Sequence, residues 1–487
     1  MKTLFLNAPS YEGFDGGAGA RYQNSREVTS YWYPQWLAEP AAMVPGSRLV
    51  DAPPHGQSPD EVLAIARGYD FVVIHTSSPG FRNDVQFAEA LKSQKPDQLI
   101  GFCGAQTHIL PDLSLEASEA IDFVCGSELV YTLLDVAQGK PLSEVAGIHY
   151  RADGKVIHNE PRPEPANLDD LPSVLEVYKR DLDITKYYNG YMPHPYMSLY
   201  TGRGCRSRCT YCLWPQTIGG HDYRVQSPER AAEEFRLAHQ LWPEVKEIFF
   251  NDDTMTDNRE RTEAIAKLIG PVGVPWSANA KPNVPYETLK IMRDNGCRLL
   301  LVGYESGNQQ ILNNIKKGTR LDRIREFTAH CKTLGIAVHG CFIFGLPGET
   351  PDTINETIAF AKEMDPESMQ VSLAAPYPGT ELYQQAVDNG WFDGQPLLNS
   401  TGIQIPAISY PEISAQQLDD AVDRFYSEYY FGKWYKPRVR VLWRFVKGML
   451  RDRDEMKRRL REGKQFLSFF GKRHEEDACV TCAPAGD

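Results

Sequence analysis

No stretch of this sequence holds the about twenty consecutive apolar residues that a membrane-spanning helix needs. Its first residues, MKTLFLNAPS, run straight into a strand-like segment without a secretory leader, and the expectation is a cytoplasmic protein. Cysteine is sparse, ten in 487 residues. In a long chain with no secretion signal these cysteines read as thiols and metal ligands and not as disulfides. Short-period repeats and low-complexity tracts are missing, which excludes a solenoid or a tract-like scaffold. An overall basic excess is missing too: 52 Lys and Arg stand against 64 Asp and Glu, a net charge of −12. That removes the broad electrostatic footprint of a nucleic-acid binder, and no nucleic acid is expected as a partner.

What is present is the composition of a globular enzyme, 42% hydrophobic and 24% charged, in a chain long enough for two or three domains. Over residues 1–150 short apolar runs at 3–6, 48–51, 71–76, 99–103 and 121–125 alternate with helix-length stretches. Runs of this kind indicate buried parallel strands of a doubly wound, Rossmann-like α/β domain. Ligands of such sheets sit at the carboxyl ends of the strands, where this chain offers Asn7, Asp51 to Gly56, Thr76 to Ser78, Cys103 to Ala105 and Gly126 to Glu128. Residues 151–190, rich in Pro, Asp and Asn, read as a linker. A second β/α series over 191–395 has strands near 196–200, 247–251, 274–278, 298–303, 337–344 and 369–375, six units where a closed barrel has eight. The expected fold is therefore a partial (β/α)6 TIM barrel behind the N-terminal domain, followed by a C-terminal helical region at 396–487.

Charge is unevenly spread. Residues 433–473 carry 15 Lys or Arg against 4 Asp or Glu, a net +11 that leaves about −23 for the rest. This segment interleaves the basic residues with Trp434, Tyr435, Leu442, Trp443, Phe445, Val446, Met449 and Leu450. A basic amphipathic helix of this type suits peripheral contact with an anionic membrane. The alternative is that its apolar face packs on the barrel. Cys479 and Cys482 form a tail Cys-x2-Cys that either binds a metal or exchanges electrons, or has no function.

The chemistry lies in TGRGCRSRCTYC at 201–212, leaving the first strand of the second series. Thiolates of Cys205, Cys209 and Cys212, spaced Cys-x3-Cys-x2-Cys, suit one face of a 4Fe-4S cluster and leave one iron open. Gly202 and Gly204 free the loop, and Arg203, Arg206 and Arg208 offset thiolate charge. A structural zinc is the competing reading, with His221 as its nearby fourth ligand.

Several separated segments together resemble the radical S-adenosylmethionine (SAM) superfamily. The resemblance implies reductive cleavage of SAM to a 5′-deoxyadenosyl radical that abstracts hydrogen from an unactivated carbon, with a small redox protein as electron donor. It implies SAM contacts at Tyr211, whose backbone would meet adenine, and at Asp252 and Asp253 after the second strand. Lys281 stands where relatives carry Arg. Glu305, Ser306 and Gly307 would meet ribose and carboxylate, and Gly345 and Pro347, in GCFIFGLPGE at 340–349, the adenine side. A residue that quenches a product radical is not identifiable.

A doubly wound domain ahead of such a barrel resembles the cobalamin-binding subclass. The Asp-x-His-x-x-Gly signature of an axial histidine is absent, and His55 after Asp51 has the wrong spacing. The resemblance implies cobalamin bound without a protein axial ligand, with a cofactor-free scaffold as the alternative. The N-terminal 1–56, including YEGFDGGAG at 11–19 and YWYPQW at 31–36, resembles the hopanoid-biosynthesis-associated radical SAM proteins of the HpnJ type. That resemblance implies a hexosaminyl hopanoid substrate whose sugar headgroup is contracted to a cyclitol ether. The alternatives are a cobalamin-dependent methyltransferase acting on an unactivated carbon, and a non-catalytic iron–sulfur or cobalamin sensor.

Overall fold

The computed structural model describes residues 1–11, 28, 30–399, 402–431 and 453–473. The first sheet contains β1 (Thr3–Asn7), β2 (Arg48–Asp51), β3 (Phe71–His75), β4 (Leu99–Cys103), β5 (Phe123–Cys125), β6 (Ile148–Ala152) and β7 (Lys155–His158). Their order is β2-β1-β3-β4-β5-β6-β7, parallel as far as β5 and antiparallel beyond it. TLFLN in β1 and FVVIH in β3 are buried along their whole length because helices cover both faces of the sheet. The β2-β1-β3-β4-β5 order reverses between β1 and β3, which opens a crevice at their carboxyl ends.

Two boundaries differ from the sequence reading. The sheet does not stop at residue 150, since β6 and β7 form a hairpin across it. Its turn is Asp153-Gly154, both at positive φ (51° and 73°), the backbone that Asp-Gly favours between twisted strands. Nor is the rest of 151–190 a loose linker. Leu168, Leu171, Val174, Leu175, Val177 and Tyr178 are buried. The helix Leu175–Asp181 is tied to the first domain, with Asp181 accepting from Leu49 N at 2.8 Å and Tyr187 Oη donating to Asp51 at 2.7 Å. Pro and Asp content marked the turns here but concealed the apolar residues between them.

The second sheet is parallel and in chain order: β8 (Tyr196–Leu199), β11 (Glu247–Phe250), β12 (Trp276–Ala280), β13 (Cys297–Glu305), β14 (Ala337–Phe344) and β15 (Ser368–Leu373). A small hairpin, β9 (Gly202–Arg203) with β10 (Arg224–Val225), brackets the cysteine loop. Strands β8 and β15 do not pair, so this is an open six-unit barrel. The helix Ala415–Tyr426 lies on its β14–β15 side, with Phe425 against Phe342 and Phe344 (centroids 5.4 and 5.6 Å) and Tyr426 Oη bonded by Val371 N.

One apolar core runs through both units. Tyr33 stacks on Tyr187 at 4.2 Å and donates its hydroxyl to Tyr196 O. The helix Gln35–Met43 of the first domain places Glu39 against Arg203 of the cysteine loop, both buried, with the guanidinium over Trp36. Of the basic segment at 433–473, residues 433–452 lie outside the described residues, as do Cys479 and Cys482. The helix Arg453–Arg473 sets Phe466 against Tyr426 and Tyr430 (5.6 and 5.7 Å), while Leu460 is 56% exposed. No described helix is long and apolar enough to cross a membrane.

Candidate active site

The cysteine loop is held from several sides. Gly204 has φ +85°, and a Cβ there would lie 2.2 Å from Asp222 O, so only glycine fits ahead of Cys205. Gln216 Nε2 donates to the carbonyls of Cys209, Thr210 and Cys212 at 2.8–3.1 Å. Thr210 N donates to Ile315 O at 3.0 Å, and Gly204 N to Asp253 Oδ2 at 2.9 Å. Such bonding fixes the backbone and leaves the three thiols, none in a disulfide, facing a cavity of about 590 Å³. Burial pushes the Cys209 and Cys212 thiols above the ordinary thiol range.

Zinc fits this donor set poorly. Among the described residues no three His, Cys, Asp or Glu side chains close around one ion position. His221 is bonded through Nδ1 to Cys205 O at 3.0 Å. A cluster needs no such closure, because each thiolate takes its own iron.

Of the expected SAM contacts, Tyr211, Asp253, Lys281 and Glu305 line the same cavity. Asp253 Oδ1 accepts from Tyr200 Oη at 3.0 Å, and Lys281 is paired with Asp257. Glu305 ends β13 at φ +62°, a left-handed backbone rare for a residue with a side chain and kept where surrounding structure imposes it. Its carboxylate is met by the Tyr211 hydroxyl and by Lys317 Nζ at 2.5 Å.

The structure places the other five expected contacts outside the cavity wall. Asp252 is fully buried and accepts from Thr201 N and Oγ1 at 2.6 and 2.9 Å beside Arg261. Ser306 Oγ bonds Thr357 Oγ1 at 3.1 Å. Gly307 lies so close to the helix Pro351–Met364 that a Cβ would be 2.6 Å from Phe360 Cβ. Gly345 O accepts from Tyr410 Oη at 2.7 Å, and Pro347 O from Asn314 Nδ2 at 2.9 Å. These five build the loops behind the site.

In that same GLPGE turn Glu349 is buried, accepting from Gly345 N and Leu346 N, and burial pushes its carboxyl from 4.5 up to about 8. The folded state then holds this proton more tightly than the unfolded chain. Stability from this group is complete below pH 4.5 and is lost as pH rises through about 8. Glu349→Gln is expected to stay close to the wild type in denaturant unfolding at pH 5 and to exceed it by roughly 3–5 kcal/mol at pH 9.

Other cavity residues include Trp32, from the aromatic stretch 31–36 already singled out in the sequence, and Tyr191, His339, Gln370 and Lys317, which were not. Trp32 and Tyr191 enter from the segments preceding the barrel, and Lys317 from the turn after the helix Gln309–Asn314. His339, Cys341 and Gln370 line the inner face because β13, β14 and β15 are in register: Leu301 pairs His339, Gly303 pairs Cys341, and Cys341 pairs Gln370. His339 lies beside Tyr191 at 4.2 Å, and its burial lowers the imidazole to about 3, so it is neutral. The alternation HGCFIF was the one signal available, since it puts His339 and Cys341 on one face of a strand.

At the carboxyl edge of the first sheet, His75 Nε2 and Ser77 Oγ are buried without a hydrogen-bond partner. Gly104 approaches Thr76 O so closely that a Cβ would lie 2.0 Å from it. His55 is committed elsewhere, Nδ1 to Asp51 O at 2.7 Å and Nε2 to Asp183 N at 3.1 Å, as suits a loop histidine and not a cobalt ligand. This edge faces the barrel: Ile109, after β4, lies against Gly379, after β15 (2.8 Å to a Cβ built there).

Three thiols on the loop after the first strand of an open parallel barrel thus line one cavity. Residues 199–361 match the Radical SAM superfamily, and the chain is a radical SAM enzyme. It is similar to an uncharacterized methyltransferase of Pyrococcus horikoshii, 28% identical over 76% of this chain and 80% of the relative. It also resembles an anaerobic magnesium-protoporphyrin IX monomethyl ester cyclase of Rubrivivax gelatinosus, 25% identical over 80% of this chain and 70% of that one. Among solved structures it resembles the radical SAM methyltransferase TsrM of Kitasatospora setae with cobalamin and a 4Fe-4S cluster bound. That match has a TM-score of 0.64 at 12% identity, over 96% of this chain and all of the other.

Proposed function

We propose that this chain is a cobalamin-dependent radical SAM methyltransferase, and that Cys205, Cys209 and Cys212 carry its cluster. The observation that carries the reading is the facing of two carboxyl edges, the switch point of the first sheet and the mouth of the barrel, with the cysteine loop and the cavity at the barrel mouth. Names of the relatives support methyl transfer over the hopanoid ring contraction that the N-terminal resemblance implied. When bound, the cluster supplies the electron that splits SAM into methionine and a 5′-deoxyadenosyl radical, and cobalamin supplies the methyl group.

The residues present fit both groups. Three thiols on one fixed loop suit a cluster with an open iron. At the first sheet's edge the unpartnered His75 Nε2 and Ser77 Oγ offer buried polar atoms to a ligand laid on the strand ends. Within the cavity Glu305 and Asp253 hold hydrogen-bonding groups of SAM, and Tyr211 packs beside them. Trp32, Tyr191 and neutral His339 orient an uncharged part of the substrate deeper in the barrel and exclude water from the radical's path.

The test uses anaerobically reconstituted protein given SAM with a deuterated methyl group, reductant and hydroxocobalamin. Candidate substrates include a hexosaminyl hopanoid, and products are read by mass spectrometry. A product one labelled methyl heavier, formed only with cobalamin, supports the proposal. A hopanoid product of unchanged mass, formed with 5′-deoxyadenosine, would replace it with ring contraction.

A further inference from the structure

Lys317 has no role in the reaction as described so far, yet much of the local structure serves to place it. The turn at 315–318 follows the helix Gln309–Asn314, and Ile315, fully buried, accepts the Thr210 N–H from between two of the thiols. Lys316 then takes a left-handed backbone, φ +56°, and turns outward to Glu381 at 2.7 and 2.8 Å. That reversal sends Lys317 the other way, into the cavity, where its Nζ reaches Glu305. Across from it Gly303 leaves the space open, since a Cβ there would lie 2.1 Å from Glu305 Oε1 and 2.7 Å from Lys317 Nζ.

Two of the four described non-glycine residues at positive φ, Glu305 and Lys316, thus flank one ion pair. Each such residue costs on the order of 1 kcal/mol, and a buried ion pair returns little net stability for its desolvation. Side-chain exposure is only 16% for Lys317 and 6% for Glu305. Stability alone does not account for this arrangement. Charge does. Other cavity cations are engaged or outside: Lys281 with Asp257, Lys316 with Glu381, and Arg208 exposed. Without Lys317, three thiolates and Glu305 would share one wall of the cavity with Lys281, already paired to Asp257, as a remaining partly buried cation.

We infer that Lys317 is a positioning residue of this site, which holds Glu305 toward SAM and sets a permanent positive charge beside the cluster that makes it easier to reduce. The inference rests on the cluster assignment proposed above. A positive charge at short range in a low-dielectric wall favours the more negative, reduced form of a neighbouring redox group.

Removing Lys317 alone also strips Glu305 of its ion-pair partner, so the informative comparison is Glu305→Gln against Glu305→Gln/Lys317→Met. The two differ only in the Lys317 charge. Each is loaded anaerobically, its iron and sulfide are counted, and its midpoint potential is read by EPR-monitored titration. Equal cluster content with a lower potential in the double variant, restored by Glu305→Gln/Lys317→Arg, is the expected result. Equal potentials in the single and double variants would overturn the inference. Should the double variant not load, Glu305→Gln/Lys317→Gln is loaded in its place and read against Glu305→Gln, and equal potentials again overturn the inference. A wild-type chain that binds no cluster would instead remove the assignment on which the inference stands.

Discussion

Replacing Cys209 with alanine is expected to leave the chain folded and to lower 5′-deoxyadenosine formation by at least about a thousandfold, some 4 kcal/mol of lost rate. Cys209 is the buried member of the triplet, while Cys205 and Cys212 are half-buried. Its carbonyl stays bonded to Gln216 Nε2 whatever its side chain, so the loop keeps its shape. What disappears is one of three thiolates, and two do not hold a cluster with one iron open to SAM. Circular dichroism and thermal unfolding should match wild type, while iron per chain and deoxyadenosine both collapse. Normal deoxyadenosine output from this variant would show that the cluster lies elsewhere.

Glu39→Ala should be the most destabilising single change between the two domains, by about 3–5 kcal/mol, because it strands a buried guanidinium. Side-chain exposure is 6% for Arg203 and 7% for Glu39. Glu39 also accepts from Gln35 Nε2 at 2.6 Å, and Gln35 in turn accepts from Tyr178 Oη at 3.0 Å, so one deletion opens a network across the seam. Arg203 stands two residues before Cys205, and its displacement should lower cluster loading as well as the denaturant midpoint. Replacing both partners, Glu39→Met with Arg203→Met, should recover most of the stability, since no charge is left buried without a partner. A small effect of Glu39→Ala on unfolding would mean that water reaches Arg203 and that the two domains are not locked by this pair.

Much of this was legible in the residues. Short all-apolar runs revealed the parallel strands of both sheets, because a strand covered on both faces has no reason to alternate. The cysteine spacing marked the loop whose three thiols the structure gathers on one cavity. Other features were hidden because they depend on where the chain goes next. Asp153-Gly154 is a hairpin signal that was overlooked beside the Pro-rich stretch after it. Asp252 and Asp253 are adjacent and alike in sequence, yet they point opposite ways at the end of β11, one into the core against Arg261 and one into the cavity. Gly307 and Gly345 sit in motif-like segments but serve helix packing and a turn. Lys317 was missed because a basic residue in Asn-Ile-Lys-Lys-Gly reads as a solvated helix end. Only the left-handed backbone at Lys316 turns it inward.

The most direct test of the account counts the two fates of SAM. Wild-type protein, loaded with its cluster under anaerobic conditions and given SAM and a strong reductant, is assayed with and without added cobalamin for 5′-deoxyadenosine and S-adenosylhomocysteine. The account predicts 5′-deoxyadenosine in both samples and S-adenosylhomocysteine only where cobalamin is present. Deoxyadenosine with no S-adenosylhomocysteine in either sample, and no cobalamin retained after desalting, would contradict the methyltransferase reading and leave a radical enzyme of another kind.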